Sequence, residues 1–323
     1  VSPAAVPGHV IRAFDAAVQG VRDLTPHFRR ITFGGPALET FGVPGPTADL
    51  RIKLLLPTPG HPLDRLGTPG GELGGGWYQE WLRREQPGRG FIRSYTVRAL
   101  RTVPGGRELD VDFVIHPVAA GHGAPASEWA GAATPGARVV IIGPEVNAIT
   151  ASTLRSETGI RWDPQGARRV LLAGDETAVP AISSILEDLP ADISGHAFLE
   201  VPDTSDVGTV TTASAVCITW LARKPAGASR GELLNESVRA ALDLTGRPDS
   251  VQPDPGLYAW VAAEAGTVKC LRRQLVNQAG LDPKRSEFRA YWSLGKAGSG
   301  ANGTPLNPPP SPSSELGHTI GSF

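Results

Sequence analysis

Residues 169–182, RVLLAGDETAVPAI, decide the fold. Positions 169–174 form one continuous apolar run, the pattern of a strand buried on both faces in a parallel sheet. The run ends at Gly174. A helix is expected from about 177 to 189, with Pro180 in its first turn, where the missing N–H has no intrahelical partner to lose. A strand feeding a helix this way puts Asp175, Glu176 and Thr177 at the carboxyl edge of a sheet, where α/β folds bind nucleotides. The segment has neither G-x-G-x-x-G nor a Walker lysine, and a plain strand–turn–helix would read the same.

Toward the C-terminus the same grammar repeats. Strands are expected at 196–201, 216–222, 258–263 and 288–292, and helices at about 230–242 and 268–279, which together predict a doubly wound parallel sheet. Toward the N-terminus it changes to short β segments between Gly/Pro turns, at 28–34, 49–56, 91–100, 108–116 and 138–143. Such spacing predicts a closed or nearly closed antiparallel β-barrel. Residues 57–76 read as a long surface loop and 144–167 as a connector. The expected division is 1–145, 146–296 and a Gly/Pro/Ser-rich tail at 297–323.

A chain of 323 residues favours two domains, and 40% apolar with 20% charged residues is globular composition. A net charge of -1 lacks the basic excess of a nucleic-acid surface. The two cysteines, Cys217 and Cys270, exclude a cysteine-held iron–sulfur cluster or zinc site and are expected to be buried, reduced thiols. The seven histidines show no ligand-spaced pair on a helix face, so no metal site is expected. No signal peptide and no apolar run of about 20 residues is visible, so the expectation is a cytoplasmic protein without membrane insertion. The sequence carries no signal for an oligomeric state.

Three strings could carry chemistry. In RSYTVR, 93–98, Tyr95 offers a flat face to an isoalloxazine, Thr96 a hydroxyl for its polar edge, and Arg93 a charge for a diphosphate. An ordinary exposed strand would carry the same letters. The second string is DFVIH, 112–116, followed by a Gly-rich turn and Ala126, Ser127. Backbone N–H groups and the Ser127 hydroxyl there suit a diphosphate, and His116 ends the strand beside them. The third is the 171–182 turn itself.

In this order the strings resemble the siderophore-interacting protein family, FAD-dependent ferric-siderophore reductases of the ferredoxin-reductase-like superfamily. The resemblance covers about 9–292 and rests on DLRIKL (49–54), RSYTVR, DFVIH, APASEWA (124–130), GDETAVPAI (174–182), WLAR (220–223) and YW (291–292). It implies an N-terminal FAD-binding β-barrel followed by an NAD(P)H-binding α/β domain. By matching position, Arg93, Ser94, Tyr95, Thr96, Asp112, Val114, His116, Ala124, Ala126 and Ser127 would hold FAD. Asp175, Glu176 and Thr177 would face the nicotinamide–flavin junction, Ala263 and Glu264 would flank it, and Arg223 would contact the ribose or phosphate of NADH or NADPH. Thr96, Thr177 and Glu264 would stand nearest the reacting atoms.

The implied reaction passes electrons from NAD(P)H through FAD to an Fe(III)-siderophore and releases Fe(II). Because many such complexes are anionic, Arg51, Lys53 and Lys296 are candidate docking charges, although a solvated face would also carry them. Two departures stand out: Ala262-Ala263-Glu264 replaces the family's usual Ala-Gly-Glu, and Ser293-Leu294 follows Tyr291-Trp292 where the family tends to be basic. A general NAD(P)H–flavin or ferredoxin-type oxidoreductase, and a non-catalytic flavin- or siderophore-binding protein, are the alternative readings.

Overall fold

Seven strands, β1 (Ile11–Thr25), β2 (Phe28–Gly34), β3 (Arg51–Leu56), β4 (Phe91–Thr96), β5 (Ala99–Val103), β6 (Gly106–Val114) and β7 (Arg138–Pro144), pair antiparallel in the order β4-β3-β7-β1-β2-β6-β5. The computed structural model describes residues 10–115, 125–242 and 256–295. Ile31, Phe33, Ile52, Leu54, Leu109, Val111, Phe113 and Ile141 line the interior and are fully buried, as the period of two along each strand requires.

The single strand expected across 91–100 is two strands. At the bend Val97 N–H donates to Leu50 O (2.9 Å) and Arg98 N–H to Asp110 O (2.8 Å). The chain thus leaves β3 and joins β6, and the barrel closes through this continuous segment. β1 has no counterpart in the expected strands. It is rich in Ala and shifts register between Val18 and Gly20 and between Asp23 and Thr25, which breaks the alternation that sequence reading relies on.

Among the described residues seven α-helices accompany the strands: α1 (Trp77–Arg83), α2 (Pro125–Ala132), α3 (Arg155–Thr158), α4 (Val179–Asp188), α5 (Arg223–Ala226), α6 (Glu232–Ala241) and α7 (Ala265–Arg272), the last continued by a π turn, Arg273–Gln278. The expected surface loop at 57–76 is partly a cover. Its Leu66 and Leu73, with Tyr78 and Trp81 of α1, pack on outward-facing Leu55, Ile92, Val140 and Ile142. Those four positions are apolar on the barrel's outside and need such a cover.

β8 (Arg169–Gly174), β9 (Ser194–Val201), β10 (Ala215–Ala222), β11 (Leu257–Glu264) and β12 (Ser286–Trp292) form the parallel sheet, ordered β10-β9-β8-β11-β12. The helix after β8 starts at Val179 rather than Thr177, because a turn closes first, with Ala178 N–H on Asp175 O (2.9 Å). Gly174 permits the close seat of α4: a Cβ there would lie 2.5 Å from that of Ala178 and 2.9 Å from Ala262 O. Leu171, Ala173, Phe198, Ala259 and Val261 face α6 and α7. Leu172, Leu199, Tyr258 and Trp260 face α4 and join one core with Phe14, Phe41, Leu50 and Trp162 on the barrel side. Neither cysteine is buried: Cys217 lies exposed on edge strand β10, and Cys270 is half-buried on α7. No helix of the described residues is long and apolar enough to cross a membrane.

Asp49, 4% exposed, ties these parts together. Its Oδ1 accepts the backbone N–H groups of Arg161 and Trp162 in the connector (2.9 Å each), and its Oδ2 accepts the Trp260 indole N–H (3.0 Å). Burial pushes its pKa up while these three donors pull the other way. Asp49→Ala strands two backbone donors and an indole in the core. It should lower unfolding free energy by about 2–5 kcal/mol, read from denaturant midpoints; a change under about 0.5 kcal/mol would show that the connector docks by apolar contact alone.

Candidate active site between the two sheets

The β3–β4 ladder fixes which side chains can meet. Ile52 opposes Tyr95 and Leu54 opposes Arg93, while Arg51 opposes Thr96 and Lys53 opposes Ser94. Tyr95 therefore shares the face of the barrel interior, and its ring lies 4.3 Å from that of Phe113, with Trp129 of α2 5.8 Å behind Phe113. Burial raises the Tyr95 phenol pKa well above its ordinary value, so it stays neutral. Arg93 donates from Nη1 to Ile92 O (2.8 Å) and has no carboxylate in ion-pair range among the described residues. Burial pushes its pKa down. A guanidinium partly withdrawn from water without a counter-charge suits an anion. Thr96 is buried, and its hydroxyl acts on the Tyr291 phenol of β12, lowering a pKa that burial raises. Tyr291 packs on the core shared with the barrel, which brings the barrel edge and the parallel sheet together.

The remaining barrel residues divide. Ala126 is buried and Ser127 half-buried in the first turn of α2. Ser94 is exposed and Val114 half-buried. Asp112 is held by a two-pronged pair with Arg30 (2.7 and 2.8 Å), which engages it in the barrel wall. His116 and Ala124, expected to touch FAD, and Lys296, expected to dock substrate, lie outside the described residues.

At the carboxyl edge of the parallel sheet, Asp175 accepts Thr177 N–H (3.0 Å) and Oγ1–H (2.5 Å) on one oxygen, and Glu264 N–H (2.9 Å) and the Trp292 indole N–H (2.8 Å) on the other. Glu176 points elsewhere. It is fully buried and pairs with Arg223 and Arg230. Glu264 caps α7, accepting Gly266 N–H (2.5 Å) and Thr267 N–H (3.3 Å), and also takes Leu294 N–H (3.2 Å). Although burial acts against it, these backbone donors hold its pKa below the usual range.

Two expectations are corrected here. Arg223, expected to meet the nicotinamide cofactor, is 8% exposed and bridges Glu176 (2.8 Å) and Glu200 (3.1 Å). Two fully buried carboxylates demand a cation, and Arg223 supplies it. Lys53 is 2% exposed, beneath the ring of Tyr78 at 5.7 Å, so it is not a surface docking charge. Burial, and then the charge of Arg51, push its pKa down to about 8. Arg51 is half-buried, and burial together with the charges of Arg289 and Arg161 lowers its pKa.

Two family models match the chain: "Siderophore-interacting FAD-binding domain" over residues 17–148 and "Siderophore-interacting protein" over 167–295. This chain belongs to the siderophore-interacting protein family. Among solved family structures, a siderophore utilization protein from T. fusca is 28% identical with a TM-score of 0.66, covering 90% of this chain and 95% of that one. The siderophore-interacting protein SipS from Aeromonas hydrophila is likewise 28% identical, with a TM-score of 0.63 and coverage of 89% and 94%. The ferric vibriobactin reductase ViuB of Vibrio cholerae is 32% identical over 206 residues, 63% of this chain and 65% of that protein. Membership makes FAD the cofactor of the seven-stranded sheet and the protein an FAD-dependent oxidoreductase.

Trp292, Arg230, Arg161 and Arg289 escaped sequence reading as site residues. Arg161 and Arg289 are lone basic residues in a connector and a strand, and only the fold places them beside Arg51. Trp292 stood within a matched motif, but a bond from its indole to Asp175 leaves no local pattern.

Arg93→Ala should weaken FAD binding roughly 10- to 150-fold, the loss of about 1.5–3 kcal/mol from one charge-assisted contact, measured by flavin fluorescence; unchanged affinity would leave Arg93 a wall residue. Arg223→Met should cost about 3–5 kcal/mol of stability by stranding two buried carboxylates, with the NADH-to-NADPH preference unchanged. A changed preference with intact stability would restore Arg223 as a cofactor contact.

Proposed function

We propose that the protein is a cytoplasmic ferric-siderophore reductase, drawing electrons from NADH or NADPH and delivering them to siderophore-bound Fe(III). In this reading residues 1–145 hold FAD and 146–296 bring the nicotinamide. The observation that carries it is the packing of Tyr95 and Tyr291 against one continuous core, which joins the flavin-type strand Arg93–Thr96 to the edge where Asp175, Thr177 and Glu264 meet. Siderophores hold Fe(III) with hard oxygen donors and bind Fe(II) far more weakly, so reduction alone frees the metal. Bound FAD supplies the conversion of a two-electron hydride donor into one-electron steps.

The chain's own work is positioning. Arg93, with the α2 turn at Ala126 and Ser127, would neutralise and seat the diphosphate, while Tyr95, backed by Phe113 and Trp129, gives a rigid aromatic wall. Thr96 offers a buried hydroxyl beside the Tyr291 phenol. No side chain is required as acid or base at the iron. Arg51, Arg161 and Arg289 form a half-buried cluster of guanidinium groups beside Thr96. Such a concentration of positive charge favours an anionic ferric complex over a neutral one.

The test is anaerobic. NADH or NADPH should bleach the yellow holoprotein, and a ferric siderophore should restore the colour while an Fe(II) trap registers release. Bleaching without iron release would favour a general flavin oxidoreductase, and a yellow protein that neither nucleotide bleaches would favour a binding protein. Arg51→Gln should raise KM for an anionic ferric siderophore by ~3- to 10-fold and flatten its salt dependence, leaving nicotinamide bleaching unchanged.

A further inference from the structure

Asp175 closes the carboxyl ends of three neighbouring strands with one side chain. It follows β8 directly, takes the N–H of Glu264 at the end of β11, and takes the indole of Trp292 at the end of β12. All four of its contacts are N–H or O–H donors, so each requires an acceptor oxygen. Trp292 also lies under the guanidinium of Arg230 at 4.7 Å, and its neighbour Tyr291 reaches Thr96 while standing edge-on to Trp260 at 6.3 Å. One carboxylate is therefore linked through two consecutive aromatic residues to the barrel residue nearest the expected flavin edge.

We propose that Asp175 is a positioning residue: its ionised form holds Trp292, and through it Tyr291, so that the Thr96–Tyr291 contact is set for electron transfer. The last clause rests on the proposed reductase function, whereas the link from Asp175 to Trp292 does not. Protonation replaces one acceptor site by an O–H donor, and one of the four donors then loses its partner. Two are fixed backbone N–H groups, and Thr177 Oγ1–H can turn to accept a proton placed on Oδ1, whereas a proton on Oδ2 meets the indole, which can only donate. The Trp292 indole belongs to a side chain at the end of an edge strand and is the one free to let go.

The charges around Asp175 favour such a switch. Glu176 is next in the chain, Glu264 contributes a second carboxylate from the start of α7, and Arg230 and Arg223 are engaged by Glu176 and Glu200. Burial first, and then Glu176, raise the Asp175 pKa to about 6. A carboxyl group whose pKa rises on folding adds stability below its unfolded value, and that contribution is lost as pH rises through about 6. Acidification across this window therefore releases Trp292 without this group unfolding the protein.

The experiment uses the full chain labelled with 15N at its tryptophan indoles, with the Trp292 resonance identified by its loss in Trp292→Phe. That resonance should move with a midpoint near pH 6, and Asp175→Asn should abolish the movement. In the FAD-loaded protein, bleaching by NADH or NADPH should slow on the acid side with the same midpoint. Trp292→Phe, which cuts the link at every pH, should leave bleaching slow throughout and abolish its acid-side midpoint. A Trp292 resonance flat between pH 5 and 8, one titrating unchanged in Asp175→Asn, or a bleaching midpoint that persists in Trp292→Phe would overturn the proposal. If Asp175→Asn does not fold, the loss or persistence of the bleaching midpoint in Trp292→Phe decides. A protein that takes up no FAD overturns the reductase reading, while the indole titration still judges the link between Asp175 and Trp292.

Discussion

Asp49 sits where three pieces of chain have to agree. It precedes β3, its two oxygens receive the connector backbone at Arg161 and Trp162, and the indole of Trp260 reaches it from the middle of the parallel sheet. None of these donors carries a charge, so the carboxylate is held by hydrogen bonds inside an apolar core rather than by an ion pair. Its position then determines others. Arg51, two residues on, receives the connector at Gly159, where a Cβ would stand 2.6 Å from the Arg51 carbonyl oxygen. Arg51 and Arg161 are thereby held near each other despite their like charge. The geometry of the site begins with this uncharged docking of a charged side chain.

Further contacts brace the same arrangement at its margins. Asp206, after β9, accepts from Thr25, from the His27 backbone and, at 2.7 Å, meets the His27 ring at the β1–β2 turn. Arg98 pairs with Glu187 of α4 at 2.6 Å, and Ser184 donates to the Arg98 carbonyl. These polar ties surround a hydrophobic core that runs unbroken from Phe14 to Trp260. Relative motion of the two sheets would therefore expose apolar surface as well as break polar contacts, so the edge-to-edge meeting at Thr96 and Tyr291 is held firmly.

Much of the fold was legible because it is written in local periodicity. The apolar run 169–174 is a strand buried on both faces, and the barrel strands alternate with a period of two. β1 was hidden by its alanines and bulges, and α1 by the Gly/Pro-rich stretch before it. The site was less legible, for a consistent reason. Arg93 and Tyr95 could be given a common face because a strand fixes it, and that face is the barrel interior. Arg223 and Lys53 could not be placed correctly, because whether a cation meets solvent depends on distant partners, Glu176 and Glu200 for one and Tyr78 for the other. Side chains that act across strand ends, such as Trp292 on Asp175, leave no trace in sequence spacing at all.

The bend at Val97 and Arg98 has a mechanical meaning. β4 and β5 are the two ends of the seven-stranded sheet, and the only covalent bridge across that seam is the short stretch between them. Arg93, Tyr95 and Thr96 all lie on the β4 side of the seam, while Phe113, against which Tyr95 packs, lies on the β6 side. A ligand held by these residues would act as a staple across an otherwise unladdered joint. The tightness of the barrel and the retention of its cofactor then become one linked equilibrium, in which whatever stiffens the seam also slows the cofactor's escape.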